Sequence, residues 1–132
     1  MSSYFDKIID FSGRLSLDII KQDDSEELIV VNNEDKGIYH MVIDCEYPIL
    51  IMEQLIYHLK NPSEQHFKRL LQINRNLIHG AFVLDNDVNQ MIFRDTLQLE
   101  NLDFNEFEGT INGLSLGLAE YSKELISLNN PE

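Results

Sequence analysis

The sequence predicts a single α+β domain over residues 1–132, with helices packed on an antiparallel, twisted sheet in the order α-β-β-β(-β)-α-β-β-α. Three observations predict it. Apolar residues recur at helical spacing near the start, in the middle and at the end of the chain. Between these stretches lie short β-branched runs separated by turn residues. The length, 132 residues at 43% hydrophobic, suits one domain whose core needs neither disulfide nor metal.

The first helix is expected from a cap at Ser3 to about Gly13, with Tyr4, Phe5, Ile8 and Ile9 on its inner side. Leu15–Ile20 alternates apolar and polar residues and reads as a strand starting close behind it. Asp23–Glu27 is a charged turn. Its adjacent carboxylates have no scaffold to aim them at a metal. Leu28–Val31 and Ile38–Cys45 form a strand pair around the loop Asn32–Gly37, where Gly37 supplies a positive φ. Tyr47-Pro48 turns the chain into a strand over Ile49–His58. These strands are apolar on both faces: Leu28 and Val30 oppose Ile29 and Val31, and Ile49 and Ile51 oppose Leu50 and Met52. Both faces therefore want cover, from helices or from another protein.

Asn61-Pro62-Ser63-Glu64 predicts the start of the central helix, with Asn61 as cap and Pro62 in the first turn. Phe67, Leu70, Leu71 and Asn74 share one face of it, with Leu77 and Ile78 beyond. Asn74 is a polar residue on that apolar stripe. Its amide is expected to satisfy backbone groups of a neighbouring strand, in preference to a ligand. Gly80–Leu84 and Met91–Arg94 read as a hairpin. Its loop, Asp85–Gln90, opens like a calcium loop, but Gln90 stands where glycine is needed and Thr96 where glutamate is needed, so a plain turn is expected. Leu97–Leu102 connects to a last helix over residues 103–128, capped by Asp103 with Glu106 three residues on.

Phe104, Phe107, Ile111, Leu114, Leu118, Tyr121, Leu125 and Leu128 make the apolar stripe of that helix. Gly109, Gly113 and Gly117 lie in register about 120° from it. Three interior glycines cost about 2–3 kcal/mol relative to alanine. The expected offset is a close neighbour on this smooth second face: the first helix, or the same helix of a second subunit.

Ten lysines and arginines against 23 acids give a net charge of −13, which disfavours nucleic acid and anionic membranes. No apolar run is long enough to span a bilayer, and Met1–Lys7 lacks a signal-peptide pattern. The single Cys45 reads as a small buried hydrophobe. Together these features point to the cytoplasm. No phosphate loop, nucleophile elbow or His-Glu-x-x-His occurs, and His40, His58, His66 and His79 lack metal-ligand spacing. No catalytic residue, cofactor or metal is expected. A small enzyme built around His79 and Arg94 is the least favoured reading, since an ion pair explains Arg94-Asp95 more simply.

The order of elements, with Leu70-Leu71-Gln72-Ile73-Asn74, Gly80–Asp85, Leu97-x-Leu99 and Leu102-Asp103, resembles the Tir chaperone (CesT) family of class I type III secretion chaperones and the related YbjN-like proteins. The match is best from Phe67 onward. The resemblance implies a homodimer that binds extended segments of a client or effector protein without catalysis. The alternative it implies is a YbjN-like regulator or scaffold that binds a folded partner. Candidate partner-binding residues are Phe5, Ile9, Ile29, Val31, Ile49 and Ile51, with Gly109, Gly113 and Gly117 as the helix-contact or dimer face.

Overall fold

The computed structural model describes residues 3–131. The chain runs α1 (Ser3–Arg14), β1 (Asp18–Asp23), β2 (Leu28–Asn33), β3 (Ile38–Glu46), β4 (Ile49–His58), α2 (Glu64–Asn76), β5 (Ala81–Leu84), β6 (Gln90–Gln98) and α3 (Phe104–Asn129). The six strands form one antiparallel sheet in the order β1-β2-β3-β4-β6-β5. This is the predicted architecture, with four strands before α2.

A single core lies between one face of the sheet and the helices. Ile29, Val31, Met41, Ile43, Leu50, Met52, Met91 and Phe93 line its sheet side and are fully buried. The helices bring Phe5 and Ile8, Leu70 and Ile73, and Phe107, Ile111 and Leu114. The Phe11 ring meets Phe104 and Phe107 at 5.6 and 5.7 Å, which docks α1 on the first turns of α3. The Arg14 guanidinium lies 3.9 Å from the Phe104 ring centroid and closes the same contact from outside.

Element ends depart from the sequence reading where distant partners decide them. Ser3 is already helical, and the residue before it lies outside the described residues. Ser63, not Asn61, caps α2: its Oγ accepts the His66 N–H at 3.1 Å. Asn61 is held elsewhere, its amide donating to the Leu128 carbonyl at 3.0 Å and its own carbonyl accepting from His66 Nδ1 at 2.8 Å. α2 stops at Asn76, so Leu77 and Ile78 lie past its end. β6 runs on to Gln98 because it pairs with β4 from His58↔Gln90 to Ile49↔Gln98. The expected hairpin alone would have ended it at Arg94. Gly37 takes φ 74° as expected, and the Asp85 carboxylate accepts the turn N–H groups of Asn89 and Gln90 at 2.7 and 3.1 Å.

The Asn74 amide satisfies the backbone of Phe82 in β5 twice, donating at 2.9 Å and accepting at 2.8 Å. A second polar latch ties the end of α3 to the β4–α2 connection. Buried Asn129 accepts from the Lys60 N–H at 2.8 Å and donates to the His58 carbonyl at 2.9 Å. Beside it, buried His66 uses both ring nitrogens. Nδ1 faces a carbonyl and must donate, so in the neutral ring Nε2 accepts from the Tyr57 hydroxyl at 2.6 Å. Burial pushes the Tyr57 phenol up to about 12, which keeps it a donor.

Candidate protein-binding face

Directly paired residues of antiparallel strands share a face, so the register draws both sides of the sheet. Met52 pairs with Ile43, and Ile43 with Ile29, on the helix side. On the other side one row runs Lys21, Val30, Val42, Glu53, Arg94, Ala81. The next runs Asp23, Leu28, Asp44, Ile51, Thr96. Leu55, Ile92 and Val83 continue the face toward β5. These outer aliphatic residues are exposed or partly exposed, and none belongs to the core. Among the described residues the helices pack on the opposite face of the sheet. The result is a broad aliphatic surface on the open side of the sheet.

Its charges are unequal. Arg94 pairs with Glu53 at 3.1 Å. Asp44 sits between Leu28 and Ile51 across the strands, and its Oδ1 is buried without a hydrogen-bond partner. Burial, then the charge of Glu46 and a side-chain hydrogen bond with it, then the charges of Glu26 and Glu53, pushes its carboxyl up to about 6.

The structure sorts the predicted contact residues by the phase of strand alternation. Phe5, Ile29 and Val31 are fully buried in the core, and Ile9 packs half-buried against it. Phe5, Ile29 and Val31 therefore have no free surface to offer a partner. Ile49 and Ile51 lie on the open face. The face is completed by Leu28, Val30, Val42, Leu55, Val83 and Ile92, which the sequence reading did not select. The missing signal was cross-strand register: once Ile51 is placed outward, its partners through β3 and β2 follow.

The glycines of α3 also meet something other than expected. A Cβ on Gly109 would lie 2.8 Å from His79 Nε2, one on Gly113 3.0 Å from His79 Cβ, and one on Gly117 3.4 Å from Leu77 Cδ2. The close neighbour is thus the α2–β5 connection and not α1, which docks through Phe11 at the start of α3. A groove of about 310 Å³ runs beside this contact, edged by Ile78, 91% exposed, and Leu116, 70% exposed.

The CesT_Tir_1 family model matches residues 1–130. The chain belongs to the CesT_Tir_1 family. Among solved structures, a chain of the HopA1–SchA chaperone–effector complex is similar at TM-score 0.63 and 17% identity, covering 90% of this chain and 94% of that one. YbjN from E. coli is similar at TM-score 0.69 and 12% identity, covering 91% and 92%. The Yersinia pestis type III secretion chaperone SycH, in complex with a fragment of YscM2, is similar at TM-score 0.54 and 14% identity, covering 96% and 99%. These likenesses show the fold. No curated protein sequence matches the chain.

In this CesT_Tir_1 domain the groups that could do covalent chemistry are dispersed. His79 lies against α3 on the helix side, while Arg94 pairs with Glu53 on the open side, so the sheet separates them. Asp95 points the other way from Arg94 and accepts the Thr110 hydroxyl at 2.7 Å. Burial, then the nearby carboxylates of Glu27, Asp44 and Glu46, pushes the Cys45 thiol up to about 12, far from a reactive thiolate. No helix among the described residues is long and apolar enough to cross a membrane.

Proposed function

We propose that this chain is a cytoplasmic, homodimeric chaperone that binds segments of a client or effector protein without catalysis. The observation that carries this reading is the uncovered aliphatic face of the sheet. An apolar surface left open in a chain of net charge −13 is the combination expected of a soluble holdase. Membership of the CesT_Tir_1 family and the likeness to chains of chaperone complexes support it. Extended client segments have the edge of β1 for strand addition, since the Phe82 backbone on the β5 edge is taken by Asn74. The β5 edge lies beside an apolar groove formed with Phe67, Leu70 and Leu71 of α2. A second reading, favoured by the likeness to YbjN, is a scaffold that binds a folded partner.

The test is suppression of aggregation of a chemically unfolded model protein, followed by light scattering. The holdase reading expects suppression by the wild type and its loss in Ile51→Asp. Suppression absent in the wild type, with capture of a folded partner, supports the scaffold instead. The same instrument weighs the assembly: a particle of twice 15.4 kDa is expected, and a monomer at micromolar concentration overturns the dimer.

A further inference from the structure

The open sheet face restricts what can lie on it. β2, β3, β4 and β6 are interior strands, each paired on both sides. Over the middle of the face the strand backbone is therefore engaged in ladders. An extended segment laid there would find no partner for its own N–H and C=O groups. A helix brings its backbone bonds with it and presents an apolar stripe.

The charge pattern says which stripe fits. Asp44 stands in the aliphatic surface made by Leu28, Val30, Val42 and Ile51, with Oδ1 buried and without a hydrogen-bond partner. No lysine or arginine among the described residues forms an ion pair with it, since Arg94 is engaged by Glu53. An acceptor of this kind is completed by a cationic donor carried in on an apolar surface. The same face of a second copy is a poor source, because it would bring Asp23, Asp44 and Glu53 and an Arg94 already paired with Glu53.

We infer that the open face takes an amphipathic helical segment of the client whose apolar stripe carries a lysine or arginine placed to meet Asp44. This rests on the client-binding reading and narrows it to a chemical class. The probes are two labelled synthetic helix-forming peptides of about 15 residues. Both carry leucines on one stripe and differ only in a central lysine or norleucine. Each is titrated against the full chain by fluorescence anisotropy.

The lysine peptide is expected to bind roughly five- to tenfold more tightly. Asp44→Asn should abolish that preference, and Ile51→Asp should abolish binding of both peptides. Val30→Asp replaces Ile51→Asp if circular dichroism shows the latter unfolded. Equal binding of the two peptides, or a preference that survives Asp44→Asn, overturns the cationic pairing. Binding that survives Ile51→Asp and Val30→Asp overturns the face. No binding of either peptide, with aggregation suppression intact, overturns the helical site and leaves client binding standing. Loss of both overturns the two readings together.

Discussion

Asn74 and Phe82 bind each other as a side chain mimicking a strand. The Asn74 amide donates to the Phe82 carbonyl at 2.9 Å and accepts its N–H at 2.8 Å, which fixes the edge strand β5 to α2. β5 is only four residues long and pairs with β6 alone, so it depends on this clamp. Asn74→Ala should destabilise the fold by about 2–3 kcal/mol, since both backbone groups of Phe82 lose their partner. Asn74→Asp keeps the acceptor and removes the donor, so it should lose about half of that. Urea unfolding checks both. A loss under about 0.5 kcal/mol for Asn74→Ala would show that water replaces the amide.

The three glycines of α3 differ in what they face. Gly117 has room, with its nearest neighbour 3.4 Å from a built Cβ, so Gly117→Ala should stabilise by about 0.5–1 kcal/mol through helix propensity. Gly113 faces the Cβ and carbonyl of His79 at 3.0 and 3.3 Å, which cannot swing aside. Gly113→Leu should destabilise by about 2 kcal/mol or more by forcing the α2–β5 connection off the helix. Gly109 faces the His79 ring, which can be removed. Gly109→Ala should therefore stabilise more in a His79→Ala background than in the wild type. A double-mutant cycle by thermal unfolding reads this coupling directly.

How far the sequence reached follows from the same residues. The amphipathic patterns of α1, α2 and α3 and the β-branched strands are local signals, and they gave the order of elements. Asn74 was also legible, because a lone amide on an apolar stripe needs backbone partners. The cap at Ser63 was missed because the His66 and Leu128 contacts that hold Asn61 are not encoded locally. The length of β6 depends on β4, more than thirty residues away in sequence. The open face was half legible. Alternation showed two apolar faces, but nothing in Leu28–Val31 says which one the helices will cover. The glycine stripe was expected to meet a helix, and its neighbour within the subunit, a connection with no periodic pattern, gave no signal.

Asn129 holds the β4–α2 connection to the end of α3 through the backbone of His58 and Lys60. It is 2% exposed, so water has little access to the groups it satisfies. Asn129→Ala should destabilise by about 2–4 kcal/mol. Tyr57→Phe, which removes only the hydroxyl bonded to His66 Nε2, should destabilise by about 1–2 kcal/mol. Hydrogen exchange distinguishes a local effect from a global one. Asn129→Ala should raise exchange at Lys60 and in the last turn of α3 before it raises exchange in the Ile43–Met52 core.

Asp44 makes the open face sensitive to pH. Its carboxyl is held at about 6 against an ordinary value of 3.8, chiefly by burial and then by Glu46, Glu26 and Glu53. Asp23 and Lys21 of β1 share the face, and Arg94 is engaged by Glu53. Between pH 3.8 and about 6 the folded chain holds a proton at Asp44 that the unfolded chain has lost. Stability contributed here is therefore present at low pH and falls as pH rises through that window, then levels off. Asp44→Asn removes the titration while keeping the shape. It should match the wild type near pH 4 and become more stable than it above pH 6, by roughly 1 kcal/mol given the solvent that reaches the side chain. Denaturant midpoints of the two proteins measured from pH 4 to 7.5 should diverge with rising pH; parallel curves would show that Asp44 titrates normally. The substitution that stabilises the free protein is also the one expected to erase the preference for a cationic segment, so Asp44 would be held in the sheet at the expense of stability for the sake of what lies on it.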